Sequence, residues 1–286
     1  MHACFHRPGP GKWQIAGLCP DAGEIQRGRR LRWSAVLTVC WTFLSVSVGG
    51  GQAGRLNDPL VAGGEVESFL VSADNQRVVY RADQSRDQTF ELYSLPISGG
   101  AVTTLNDPLV PGGDMFDFLI SPNSGRVVYQ ADQDTDDTIE LYSVPLAGGV
   151  ATKLNGLLVP GGHVLSGFLV SADSGRVVYR AAQDEADTSE LYSVPLAGGA
   201  VTKLNGSLAA DGDVSLVFLI SPDSQRVVYR ADQDGDEVFE LYSVPLAGGA
   251  ATKLNDLLVA SGDVKSFLTG LDGQQVESFL ISPDSQ

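Results

Sequence analysis

The chain has 286 residues, with 19 Lys and Arg against 35 Asp and Glu and a formal charge of −16. That balance argues against a nucleic-acid ligand, whose phosphates call for Lys and Arg, and against docking on anionic membrane surfaces. It leaves basic protein partners and metal cations open.

The first fifth of the chain differs in kind from the rest. Cys4, Cys19 and Cys40 and Trp13, Trp33 and Trp41, the only cysteines and tryptophans, all precede residue 54. Residues 1–53 carry six Lys or Arg and two Asp or Glu, a net of +4, which leaves −20 for residues 54–286. Arg27, Arg29, Arg30 and Arg32 precede an apolar run over 33–48, and Gly51-Gln52-Ala53 supplies small residues after it. A basic segment, an apolar core and a small-residue site describe a secretory signal peptide. The reading is a leader over 1–53 and a mature chain over 54–286 that is periplasmic or secreted. The run is about sixteen residues, short of the roughly twenty that a spanning helix needs. An uncleaved anchor is the alternative. Without cysteine, the mature part contains no disulfide and must be held by packing.

From residue 65 onward one pattern returns. Arg-Val-Val-Tyr occurs at Arg77, Arg126, Arg176 and Arg226, and Glu-Leu-Tyr-Ser follows at Glu91, Glu140, Glu190 and Glu240. The Glu-to-Glu steps of 49, 50 and 50 residues indicate a solenoid, a propeller or an array. Within the fourth copy, Val217 to Ser221 is apolar and β-branched. Pro222-Asp223-Ser224-Gln225 is turn chemistry, and Arg226 to Arg230 is again β-rich. Ala231 to Glu237 is a polar connection. Phe239 to Val244 reads as a third strand, Ala247-Gly248-Gly249 as a tight turn, and Ala250 to Leu254 as a fourth strand. No stretch of the mature chain sustains a helical period.

Four short strands cannot bury both faces of their own sheet, so the units must stack face to face. The expected fold class is all-β: a β-propeller of four-stranded antiparallel blades. The apolar strands bearing Phe69, Phe118, Phe168 and Phe218 would lie nearest the axis, and a flat β-solenoid is the alternative. Blades are expected over about 65–113, 114–162, 163–212 and 213–262, with a partial fifth over 263–286. That fifth copy reaches Gln286 just after its Ser282-Pro283-Asp284-Ser285 turn, and Val264 to Leu268 is echoed by Val276 to Leu280. About four and a half blades leave an exposed edge that invites pairing. A longer native chain, or self-association through that edge, is therefore expected.

The run from Ser221 to Tyr229, the acidic loop after it, Glu240-Leu241-Tyr242 and Gly248-Gly249 resemble the TolB-type propeller repeat, of the WD40-like (PD40) class. That repeat reads roughly S-P-D-G-x-x-I-x-F, S-D-x-D-G, x-I-Y, G-G and L-T, and the likeness covers about residues 56–286. This chain departs from it with Ser or Asn where Gly follows Asp, with Leu-Asn for Leu-Thr, and with Ala73 and Ala172 for Pro. The resemblance implies a propeller that binds protein or peptide partners. Similar propellers also precede the catalytic domain of prolyl-oligopeptidase-like serine peptidases, which gives a second reading: the propeller portion of such an enzyme. A Ca²⁺-stabilised structural array is a third.

Two residue sets are candidates for a site. Asp132, Asp134 and Asp136, and Asp232, Asp234 and Asp236, have the D-x-D-x-D spacing that can wrap oxygen ligands around Ca²⁺. Neither loop has the Gly and Glu that complete an EF-hand, and the plainer reading is a solvated hairpin loop. Glu65, Asp114, His163, Asp213 and Asp263 recur where each inner strand begins. On the same face as the acidic loops, they would ring the channel mouth and hold a cation or a basic peptide; the plainer reading is a polar strand start. No nucleophile elbow, H-E-x-x-H, Walker loop or dinucleotide fingerprint is present. The expectation is a non-catalytic binding scaffold without a required cofactor.

Overall fold

The computed structural model describes residues 54–256 throughout. Outside them it describes only the short strands Cys4–His6, Gln14–Ala16, Ser45–Ser47, Ala53–Arg55, Phe267–Thr269 and Gln275–Glu277. The signal-peptide run apart from Ser45–Ser47, Asp263 and the turn of the fifth copy lie outside the described residues.

Four sheets, each of four antiparallel strands in sequence order, make up the described repeats. The first blade contains β1 (Val66–Val71), β2 (Arg77–Ala82), β3 (Glu91–Pro96) and β4 (Thr103–Thr104). The second contains β5 (Met115–Ile120), β6 (Arg126–Ala131), β7 (Glu140–Pro145) and β8 (Thr152–Lys153). The third contains β9 (Val164–Val170), β10 (Arg176–Ala181), β11 (Glu190–Pro195) and β12 (Thr202–Lys203). The fourth contains β13 (Val214–Ile220), β14 (Arg226–Ala231), β15 (Glu240–Pro245) and β16 (Thr252–Lys253). These are propeller blades, as the sequence pattern predicts, and their boundaries follow the turn chemistry. Gly148, Gly149 and their equivalents turn the last hairpin at positive φ, which favours glycine.

In the second and third blades the two middle strands are apolar on both sides, because each of these blades is covered on both sides. Alternation along β6 sends Val127 and Tyr129 to one face and Val128 to the other. Val127, Tyr129, Tyr142 and Val144 pack with Val79, Leu92 and Leu105 of the blade before. Val128, Leu141 and Leu154 pack against Phe168, Val177 and Tyr179 of the blade after. The same set recurs at the third interface, where Val178, Leu191 and Leu204 meet Phe218, Val227 and Tyr229. Within each blade two tyrosines stack across the middle strands, with centroids 5.1 Å apart for Tyr80 and Tyr93 and 5.6 Å for Tyr179 and Tyr192. This is the arrangement aromatic pairs prefer over a face-to-face sandwich. The repeated Tyr is thus a packing residue.

Polar staples accompany the apolar interfaces. The hydroxyls of Ser124, Ser174 and Ser224 accept N–H bonds from Asp74, Asn123 and Asp173 of the preceding blade at 3.0–3.1 Å. These serines stand at φ of 57–59°, where the TolB-type repeat prefers Gly. The departure costs backbone strain and supplies an interblade bond. The Asn of Leu-Asn has a comparable role. Asn106, Asn155 and Asn205 each accept, through Oδ1, the N–H of the leucine second in the third strand, at 2.7–2.8 Å. Each side chain thereby stands in for a backbone partner.

Candidate binding face at the loop end of the blades

Antiparallel register places the acidic connections and the starts of the inner strands at one end of the blades. Ala131, the last residue of β6, pairs with Met115, the first of β5, and with Glu140, the first of β7. The short Ser-Pro and Gly-Gly turns lie at the other end. In the described blades the acidic connections and the inner-strand starts thus lie at the same end, and the fold employs several of their residues internally.

Asp132 is buried, and each of its carboxylate oxygens accepts a backbone N–H: Oδ1 from Asp114 at 2.5 Å and Oδ2 from Asp137 at 3.1 Å. Asp83 and Asp232 take the same two bonds in their blades. Asp134 turns away from Asp132 and pairs with Lys153 at 2.8 Å, as Asp234 pairs with Lys253 at 3.0 Å. Asp136 lies against Gly112, where a Cβ would meet its Oδ1 at 2.5 Å. The D-x-D-x-D spacing thus sends successive carboxylates to different tasks. Among the described residues, the carboxylates brought within 4.8 Å of one another are Asp132, Asp136 and Asp137. Asp236 is in no such group.

The channel-mouth set is likewise tied to the scaffold. Asp114 Oδ1 accepts the N–H of Phe90 at 2.8 Å, and Asp213 Oδ1 that of Ser189 at 2.6 Å, each across a blade interface. Burial pushes the Asp114 carboxyl above the ordinary carboxylate range, although the Phe90 N–H and the Arg81 charge oppose it. Glu65 is exposed and donates its N–H to Asp83. His163 is half-buried, with Nδ1 3.4 Å from the Gly161 carbonyl.

Sequence reasoning missed a three-part ammonium cradle on this face. Lys153, on the short fourth strand, lies 2.7 Å from Glu140 and 2.8 Å from Asp134, with its Nζ 5.8 Å from the Tyr142 ring centre. Lys203 pairs with Glu190 and Asp184, and Lys253 with Glu240 and Asp234. The glutamates are buried, and each also accepts the hydroxyl of its tyrosine: Tyr142, Tyr192 or Tyr242. Burial works against the charge on Lys153 and Lys203, yet their carboxylate partners outweigh it and raise both ammonium pKa values. The signal was present in the sequence as a Lys thirteen residues after each Glu, a spacing that becomes contact only once β7 and β8 pair.

Beside the cradles of the second and third blades the connection to the next blade leaves a groove. Around Thr135, Glu140, Lys153, Leu157 and Pro160 it holds about 580 Å³. The equivalent one in the third blade, around Glu185, Glu190, Leu208 and Asp211, holds about 380 Å³. Leu157 stands 97% exposed at the lip of the first.

No family model and no curated protein matches the chain. Solved structures do. A putative TolB from Agrobacterium tumefaciens is 20% identical with a TM-score of 0.43, over 65% of this chain and 64% of that one. A prolyl endopeptidase structure is 13% identical with a TM-score of 0.52, over 77% of this chain and 33% of that one. A Porphyromonas gingivalis dipeptidyl peptidase 4 is 14% identical with a TM-score of 0.51, over 65% and 30%. The chain therefore spans less than two thirds of the length of each. What the two peptidase likenesses, both with TM-scores above 0.5, establish is the β-propeller fold alone.

Proposed function

We propose that this chain is an exported, non-catalytic β-propeller that binds a protein or peptide partner on its loop face. The observation that carries the reading is the pair of grooves at equivalent places in consecutive blades, each bordered by an acidic loop, the first with the exposed Leu157 at its lip. Concave apolar walls with a few placed polar groups are what a peptide segment docks into. The charge of −20 over residues 54–286 favours basic segments by electrostatic steering. The candidate carboxylates Asp114, Asp132 and Asp213 already accept backbone N–H groups, which supports a scaffolding role for them rather than a catalytic one. The basic leader and its apolar run support periplasmic or extracellular residence.

The test is a random-peptide display screen on the full-length chain, with affinities then measured by fluorescence anisotropy. Enriched peptides should pair Lys or Arg with apolar residues. Leu157→Ser, at a fully exposed site, should leave the melting temperature unchanged and weaken binding about fivefold, the scale of one lost apolar contact. Absence of enriched peptides, or affinity unmoved by L157S, would overturn the loop-face reading.

The alternative, the propeller portion of a serine peptidase, draws on the two peptidase structures, which share the fold alone. It predicts a G-x-S-x-G elbow in coding sequence downstream of residue 286, and the native gene decides it.

A further inference from the structure

In three blades the chain supplies its own ammonium to the cradle beside the third-strand glutamate, and in the first blade that lysine is missing. Lys153, Lys203 and Lys253 each fill a cradle made by a glutamate, a loop aspartate and a tyrosine hydroxyl. In the first blade the lysine position is Thr104 and the loop aspartate is Ser85, whereas the glutamate and tyrosine remain as Glu91 and Tyr93. Both donors that reach Glu91, the hydroxyls of Ser85 and Tyr93 (the latter at 2.7 Å), go to the same oxygen, Oε2. Among the described residues no group donates to Oε1 and no cation pairs with Glu91. Arg86, one residue from Ser85, is exposed and forms no ion pair among the described residues. Thr104 is exposed as well, so the place of the missing ammonium opens to solvent.

The same backbone frame thus presents a half-buried carboxylate with one oxygen free, at a position where three sister blades hold an ammonium. We infer that Glu91, framed by Tyr93, Ser85 and Thr104, is a recognition site for one basic side chain, a lysine or an arginine, carried by the partner. The arriving cation would take the place that Lys153 occupies in the second blade. Its gain exceeds that of an ordinary surface pair, because the tyrosine and serine already hold the carboxylate and little side-chain freedom is lost. The inference rests on the loop-face reading and adds to it the chemistry and the address of one contact.

Zero-length carbodiimide coupling of acetyl-Gly-Lys-Gly-amide to the full-length chain, mapped by mass spectrometry, reads the site directly. Adduct at Glu91 should exceed that at the exposed loop carboxylates Asp107 and Glu185 about fivefold, the scale of a partly buried ion pair over an exposed one. The double variant Ser85→Asp, Thr104→Lys restores the chain's own cradle and should abolish that excess while leaving the melting temperature equal or higher. Val150→Ser, at an 82% exposed position beside the Gly-Gly turn at the opposite end of the blades, is the folding control and should retain the adduct. Equal labelling at Glu91 and the exposed carboxylates, or an excess that survives the refilled cradle, overturns the inference. If that happens while display-selected peptides still lose affinity in L157S, the loop-face reading stands and only the Glu91 site falls. If those peptides are absent yet Glu91 labels selectively, the reverse holds.

Discussion

At the scale of single residues, the repeat is a set of four natural variants of one site, and the differences have physical consequences. The residue ahead of the last glycine in the connecting loop is Gly63, Gly112 and Gly161, at φ of 80–94°, but Asp211 at φ 62° in the fourth blade. A side chain there pays for the left-handed conformation, and among the described residues the Asp211 carboxylate takes no hydrogen bond that would offset it. Asp211→Gly should therefore stabilise the protein, by about 0.5 kcal/mol once the extra freedom of glycine in the unfolded chain is subtracted. Urea denaturation with an unchanged slope and a raised midpoint is the expected result; a lowered midpoint would show that Asp211 is held by something other than its backbone. Ala182 offers a second contrast. It replaces the aspartate that receives two N–H groups in the other blades, and there the backbone link from Ala182 N to the His163 carbonyl, at 3.0 Å, remains. The acidic character of these loops was plain in the sequence. That Asp132 faces inward and Asp134 faces Lys153 was not, because alternate residues of a loop, unlike those of a strand, have no fixed common side.

At the scale of elements, the blade interface is the unit of stability. Phe118, Phe168 and Phe218 are 5%, 3% and 6% exposed in the inner strands of the second to fourth blades, whereas Phe69 in the first is 52% exposed. Four identical side chains at one repeat position thus stand in two environments. Phe168→Ala should cost about 3 kcal/mol or more, since it leaves a cavity between two packed sheets. Phe69→Ala should cost less, about 1 kcal/mol, because half of that residue stays in water and no enclosed cavity is left. Equal costs in chemical denaturation would mean that the first blade's inner face is covered in solution. The inner strands themselves were legible from their β-branched runs. The bulge that shifts register between Gln130 and Ala131, and the corresponding shifts in the other blades, carried no distinct residue signal.

Across the whole molecule, alkaline pH is the predicted weak point. Each of the eight tyrosines sits between or beside blades with its phenol pKa raised, chiefly by burial: Tyr229 to about 12, and Tyr80, Tyr93, Tyr129, Tyr142, Tyr179, Tyr192 and Tyr242 higher still. Lys153, Lys203 and Lys253 are raised as well. Groups that hold protons more tightly when folded contribute stability that is complete below their unfolded pKa and lost as pH climbs through the folded one. The melting temperature should be flat on this account near neutrality and fall steeply from about pH 10, the ordinary tyrosine and lysine range. The tyrosinate absorbance should rise together with unfolding, not before it. Ionisation of several tyrosines in the folded state would contradict the buried stacking.

The sequence by itself determined the repeat length, the four strands of each unit, the turns between them and the need for units to stack, because period-two apolar patterns and turn residues act over a few neighbours. It also determined the acidity of the loop face. Only the tertiary structure decided which carboxylates are spent on backbone N–H groups, which lysine meets which glutamate, and where a groove opens. Those outcomes depend on contacts thirteen to fifty residues apart, across paired strands and between blades. Hence Glu91, one of four glutamates in identical Glu-Leu-Tyr-Ser contexts, is distinguished only by Ser85 and Thr104, which the fold brings beside it.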